Sequence, residues 1–244
     1  MNFQLMLDAI PELLSGVPLT LQLVITSMLL GFALAVGLAL MRLSGNPILS
    51  GPAYAYAFVF RGTPLLVQIY LIYFGLGQFQ GVRDSIFWPL LREPFWCAVL
   101  ALTMNTAAYG SEIIRGGIQS VPHGQVEAAK ACGMSPVMAF RRIVFPQALR
   151  QALPAYGNEL ILMIKASSLA STITLLEVTG IARRLISQSF ASLEIFIVAG
   201  AIYLALNFAV TRLIAWAEAR LSVEGRPTVA AGRPQALATA APDH

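Results

Sequence analysis

Residues 17–41 contain no charged side chain, and the run stops at Arg42. A helix needs about 20 mostly apolar residues to cross the hydrocarbon core of a bilayer. This stretch therefore constrains the fold more than any other, because it reads as a complete membrane crossing. Composition extends the constraint to the whole chain. Of its 244 residues, 57% are apolar and 11% charged, against roughly 25% charged in soluble domains, and the mean hydropathy is +0.71. So little polar surface cannot face water on all sides, which makes lipid the solvent for much of the exterior and excludes a set of water-soluble domains.

Further apolar stretches follow. From Ala53 the chain stays apolar to Gly77 but is interrupted at Arg61-Gly62-Thr63-Pro64, where Thr63 is expected to cap and Pro64 to start a new helix. This predicts an interfacial segment and then a second span over about 64–76. Residues 95–114, 153–175 and 195–216 supply a third, fourth and fifth. An open sheet edge cannot sit in lipid, so all five are expected to be helical. The fold class is accordingly an all-α integral membrane protein with five transmembrane helices.

Charge orients it. The segment before the first span carries Asp8 and Glu12 and no Lys or Arg, so it lacks the basic region of a signal peptide and reads as mature chain. Placing that acidic end outside leaves ten Lys and Arg inside, among them Arg42, Arg115 and Lys130, against Arg83, Arg92, Arg183 and Arg184 outside. Arg61 and Lys165 fall near or within spans and do not vote. The bias predicts a periplasmic N-terminus and a cytoplasmic C-terminus. Residues 1–221 form the expected membrane domain, and 222–244, rich in Gly, Pro, Ala and Thr, read as a disordered cytoplasmic tail.

Several chemistries are excluded. Cys97 and Cys132 are far apart and unaccompanied, which rules out a disulfide framework or a four-cysteine zinc site and leaves two apolar fillers. The net charge of +4 comes from scattered basic residues rather than an aromatic-interleaved patch, so nucleic acid is not an expected partner. No G-x-x-x-x-G-K-[ST], H-E-x-x-H or G-x-S-x-G occurs, and the only histidines are His123 and His244. The chain is not expected to be an enzyme, to hold a metal or to hydrolyse ATP itself.

One sizeable polar insertion remains, the inside loop 115–151. Ser120 and Pro122 can begin a short helix that Gly133 ends; Ser135 and Pro136 can start a second that Pro146 breaks. Glu127-Ala128-Ala129 sets a carboxylate beside two small residues, which would let a partner backbone approach while Glu127 meets a cation. On these grounds alone the loop is either a coupling surface or an ordinary amphipathic connection.

Glu127-Ala128-Ala129, Gly133, Ile143 and Pro146 resemble the EAA loop of permease subunits of bacterial ABC importers, whose pattern is E-A-A, a Gly four residues after its last Ala, then I-x-L-P, with Phe145 here in place of the Leu. Phe60-Arg61-Gly62-Thr63-Pro64-Leu65-Leu66-Val67-Gln68 resembles the signature of the polar amino-acid branch. Asn158-Glu159 with Lys165-Ala166-Ser167-Ser168-Leu169 resembles its N-E-x-x-x-x-x-K-D-T-S-L segment. The similarity spans roughly 13–221 and is greatest to permeases for histidine, lysine, arginine and ornithine or for the opines octopine and nopaline. It implies the type I importer permease fold in the bacterial inner membrane. It also implies a second, homologous permease, two ATPase subunits that bind ATP-Mg, and a periplasmic substrate-binding protein. Glu127, Ala128, Ala129 and Gly133 would then dock in a groove of the ATPase.

The resemblance also suggests a substrate site. A charge within a span is a functional candidate by default, which selects Glu159 and Lys165. Their spacing places them about 120° apart around a helix, so an intrahelical pair is not expected; each either serves substrate or pairs with a neighbouring helix or interface. Residue 166 shares the azimuth of Glu159 about 10 Å away, and the Asp of the related pattern is Ala166 here. One of two anions is retained. Asn158, Ser167 and Asn105 complete the candidate substrate set. Asn105, Thr106, Tyr109 and Glu112, at intervals of three and four, line one pathway, or Glu112 pairs with Arg115. Asn207 reads as interhelical glue. The expected function is inward transport of a basic amino acid or an opine; the alternative is a solitary channel or sensor-anchor without ATP coupling.

Overall fold

The computed structural model describes residues 2–221; the expected tail over 222–244 lies outside them. Within that range all regular structure is helical. Helix α1 (Phe3–Leu14) starts at Asn2, whose side chain accepts from the Leu5 amide at 3.2 Å. It leads into α2 (Val17–Leu43), 27 residues long, about 40 Å at 1.5 Å per residue and so longer than the hydrocarbon core. After Gly45, which has φ +68°, Asn46 caps α3 (Pro47–Gly62) by accepting from the Ile48 amide at 2.9 Å.

At Thr63-Pro64 the path bends by 105° into α4 (Leu65–Tyr70), which continues through a π turn (Leu71–Gly75) and a 3-10 turn (Leu76–Gln78). Proline disfavours helical backbone in the residue before it, and Thr63 is indeed extended, with φ −113° and ψ 145°. Thr63 does not cap the new helix as expected. Its hydroxyl donates back to Val59 O at 2.8 Å, and Pro64 itself occupies the N-cap position.

The short helices α5 (Gln80–Arg83) and α6 (Trp88–Leu91) lead to α7 (Pro94–Gln119), 26 residues long. Then come α8 (His123–Ala131), α9 (Pro136–Ala139), a π turn (Phe140–Val144) and α10 (Phe145–Ala166). Two sequence expectations change here. Ser120 ends α7, its hydroxyl donating to Gly117 O, rather than starting α8. Pro146 does not break the chain; it lies in the first turn of α10, where its missing N–H is harmless. The helix that carries the expected fourth span accordingly begins earlier, and the end of that stretch, Ser167–Ile173, is a 3-10 segment. A 47° bend separates it from α11 (Val178–Ser189), and α12 (Ser192–Leu221) closes the described chain.

By length and composition two helices can each cross a membrane, Val17–Leu43 and Ser192–Arg220, and up to four crossings result if each bent pair is one span. Helix α7 matches α2 in length, but Asn105, Thr106, Ser111, Glu112 and Arg115 dilute its apolar character.

Small residues let α2 and α7 form the most extensive helix pair. Ser27, Gly31, Ala35 and Ala39, each four residues from the last, are all buried on α2. Such a stripe brings backbones close where lipid supplies no hydrophobic drive between helices. A Cβ on Gly31 would lie 2.2 Å from Thr106 Cγ2, and one on Gly117 would lie 2.8 Å from Ala148 O of α10. Leu23, Ile69, Leu102, Met163 and Ile164 fill the core between these helices. A second core, with Leu13, Val178, Ile181 and Ile195, joins α1, α11 and α12.

The α11 start is tied down by Glu177, wholly buried. Its carboxylate accepts from the Thr179 and Gly180 amides at 3.0 and 2.8 Å and from the Tyr203 hydroxyl at 2.5 Å. Arg184 donates to Glu12 at 2.7 Å, clamping α1 to the same end.

Candidate functional site

The polar insertion forms a compact cap between the ends of α7 and α10. Gln147 Nε2 donates to Gln125 Oε1 at 2.6 Å, fastening α8 to the start of α10. Gly133 ends α8 with φ +75°. Its amide donates to Lys130 O at 2.9 Å and that of Met134 to Ala129 O at 3.0 Å, the paired bonds of a Schellman cap. The expected role of Gly133 as a helix stop is therefore met by left-handed backbone. The two alanines, however, do not act as a pair: Glu127 and Ala128 are exposed, whereas Ala129 is buried against the cap. Ser135 caps α9, its hydroxyl accepting from the Met138 amide at 3.3 Å.

The sequence reading passed over an apolar tip beside them. Val137, Met138 and Phe140 are all exposed, so the insertion presents large apolar side chains as well as a carboxylate and a small residue. The run Val137-Met138-Ala139-Phe140 was the available signal. Cys132 is also exposed, so it is not an apolar filler; Cys97 is buried as expected.

The candidate substrate residues do not converge. Glu159 is buried on α10, 6% exposed, beside Thr106 of α7, whose hydroxyl donates to Met28 Sδ at 3.5 Å. Asn158 and Lys165 are exposed on other faces of the same helix. Ser167 is buried and its hydroxyl donates to Ile164 O at 2.7 Å. Asn105 serves the bend between α3 and α4: its Nδ2 donates to Gln68 Oε1 at 3.2 Å and to Phe60 O at 3.3 Å. Gln68 Nε2 in turn reaches Phe60 O at 2.9 Å, Thr63 O at 3.1 Å and Thr63 Oγ1 at 2.8 Å. Pro64 opens the helix and this amide pair satisfies the backbone groups it frees. None of the hydrogen bonds or ion pairs among the described residues joins two of the five candidates. Asn207 Nδ2 donates to Tyr203 O one turn back at 2.8 Å, and its buried Oδ1 has no partner among the described residues, so it joins no two helices within them.

The polar stripe on α7 divides among three places, the first being the bend served by Asn105. Thr106 faces α2 and Glu159, while Tyr109 and Glu112 line a cavity of about 450 Å³ between α2, α3 and α7. Glu112 pairs there with Arg42 of α2 and with Arg115 Nη2, the latter at 2.7 Å. The Arg115 partner was expected; the Arg42 partner was not. Arg42 and Glu112 stand 70 residues apart, and only the rule that charges within a bilayer seek partners hints at such a pair. Arg61 enters the same cavity, its guanidinium 5.3 Å above the Tyr109 ring. Among the described residues no group of three or more His, Cys, Asp or Glu gathers as a metal site would.

Residues 27–223 match the family described as binding-protein-dependent transport system inner membrane component. The chain is 56% identical to the nopaline transport system permease protein NocM of Agrobacterium fabrum, covering 98% of this chain and 100% of that one. It is 62% identical to the octopine transport system permease protein OccM of Rhizobium radiobacter, covering 88% of this chain and 87% of that one. A crystal structure of an amino acid ABC transporter with histidines superposes with a TM-score of 0.81 at 38% identity, covering 90% of this chain and 99% of that chain. These likenesses agree with the helical membrane architecture. The chain therefore belongs to the binding-protein-dependent transport system inner membrane component family, as a permease subunit of an ABC importer with the type I fold, a transport component and not an enzyme.

Proposed function

We propose that this subunit carries an opine of the octopine or nopaline kind, or a basic amino acid, inward across the bacterial inner membrane. The observation that carries the reading is the likeness to opine permeases along nearly the whole chain. The subunit pairs with a second, homologous permease. Two ATPase copies hold ATP-Mg beneath the pair, and a periplasmic binding protein delivers the substrate. The membrane domain covers 1–221 with five crossings, α7 counted among them, and 222–244 form a cytoplasmic tail. The N-terminus is periplasmic. Two contacts support this sidedness. The Arg184–Glu12 pair gathers the residues assigned outside, and Arg42 with Glu112 and Arg115 gathers the inner ends of α2 and α7.

The coupling surface is Glu127, Ala128, Ala129 and Gly133. Glu127 and Ala128 face the ATPase, Ala129 and Gly133 fix the shape of the cap, and the apolar tip at Val137 and Met138 widens the contact. Glu159 is the anion that selects a cationic substrate, with Asn158, Lys165, Ser167 and Asn105 as the remaining site candidates. Uptake of octopine, nopaline and arginine by the reconstituted complex with its binding protein tests the substrate class. Glu159→Gln should lower transport of every cationic substrate. Ala166→Asp should depress the carboxylate-rich opine more than arginine, and equal effects on both would remove the charge-selection argument.

A further inference from the structure

The cavity between α2, α3 and α7 holds three arginines, Arg42, Arg61 and Arg115, against one carboxylate, Glu112. Two of the arginines are spoken for, since Arg42 and Arg115 both bond to Glu112 and Arg115 Nη1 also donates to Gln119 Oε1 at 2.5 Å. Arg61 is different. Among the described residues it has no hydrogen bond and no carboxylate within ion-pair distance; its guanidinium rests on the Tyr109 ring, in electrostatic reach of Glu112. It stands next to the last residue of α3, at the break of a bent pair that is apolar enough to cross the bilayer. A cation there faces protein or a water-filled space rather than lipid. The guanidinium is thus held in place by an aromatic face while its donor edge stays unused.

The size and walls narrow what fills that edge. About 450 Å³ lies in the range of small-molecule sites and suits a molecule of amino-acid or opine size. Tyr54, Phe58 and Tyr109 supply flat apolar walls, and Arg42 lies 5.1 Å above the Tyr54 ring. The Arg42–Glu112–Arg115 network lines the cavity and leaves an excess of positive charge. A planar guanidinium fork matches a carboxylate with two parallel hydrogen bonds.

We propose that this cavity receives the carboxylate end of the transported molecule on its inward path, with Arg61 as the hydrogen-bonding cation and the Arg42–Glu112–Arg115 network as its frame. The inference rests on the transport reading above and adds to it a site far in sequence from Glu159. Substrate thereby meets two poles in one subunit, an anion on α10 for its cationic end and a cation at the α3–α4 break for its carboxylate.

The test measures binding to the assembled permease–ATPase complex in nanodiscs, without the binding protein. The probes are arginine, octopine and agmatine, the last sharing the guanidinium of the others but lacking any carboxylate. In the parent, arginine or octopine should bind about tenfold or more tightly than agmatine, the scale of a charge-assisted pair. Arg61→Gln should close that gap and Arg61→Lys should keep part of it. If Arg61→Gln fails to assemble, Tyr109→Leu, which removes the ring under the guanidinium, should weaken the carboxylated probes more than agmatine. Absence of a gap in the parent, or a gap unchanged in Arg61→Gln, overturns the proposal. A gap seen in phosphatidylcholine discs but abolished by anionic phosphatidylglycerol also overturns it, because the site then takes a lipid phosphate. Uptake by the parent complex with its binding protein separates the two levels. No uptake of opine or basic amino acid sinks the transport reading, whereas intact uptake without the gap sinks the carboxylate site alone.

Discussion

Gly31→Ala offers the sharpest test of how packing supports the pathway. The added Cβ would lie 2.2 Å from Thr106 Cγ2, whereas carbon atoms rest at roughly 3.5–4.0 Å, so the two must separate by about 1.5 Å. Thr106 is wholly buried and β-branched, so its methyl cannot simply swing aside. Either α2 and α7 part, or Thr106 changes rotamer and takes its hydroxyl from Met28 Sδ. Overpacking of this kind costs about 1–3 kcal/mol. Thr106→Ser removes the offending methyl and keeps the hydroxyl, and the next contacts of the new Cβ, Thr103 O at 3.3 Å and Ala107 N at 3.6 Å, are tolerable. The double variant Gly31→Ala/Thr106→Ser should therefore recover most of the loss, with a coupling of about 1 kcal/mol or more between the sites. Equilibrium unfolding of the purified subunit in mixed micelles, read on parent, singles and double, measures it. A Gly31→Ala subunit as stable as the parent, or a double variant no better than the single, refutes the contact.

Other expectations follow from the same geometry. Gly133→Asp forces a side chain into left-handed backbone, which costs roughly 1–2 kcal/mol locally; membrane abundance should persist while substrate-stimulated ATP hydrolysis and transport by the complex both fall, and near-normal values for both would falsify the docking role. Glu177→Ala removes the α11 cap and the partner of Tyr203, so thermal unfolding should shift down by the equivalent of about 1–2 kcal/mol, and an unchanged midpoint would contradict the capping role. Cys132 is exposed and Cys97 buried, so an impermeant maleimide should label Cys132 in inside-out vesicles and not in spheroplasts; labelling from the periplasmic side would overturn the assigned orientation.

The apolar runs of α2 and α12 determine from sequence alone that the chain lives in lipid, because no other solvent accommodates so many uncharged residues in a row. Gly133 was legible as a helix stop and Ser135-Pro136 as a helix start because these are local backbone chemistry, decided within a turn. The break at Arg61-Gly62-Thr63-Pro64 was legible for the same reason, though not the 105° angle or its fastening by Gln68 and Asn105. Helical periodicity assigns a face to each residue but does not say what that face meets. It grouped Asn105, Thr106, Tyr109 and Glu112 on one pathway, whereas the packing of α2, α3, α4 and α10 against α7 divides them between a bend, a buried acid and a cavity. The Arg42–Glu112 pair and the free edge of Arg61 are of this second kind: charges within a bilayer must find partners, but which partner lies within reach is set by helix packing alone.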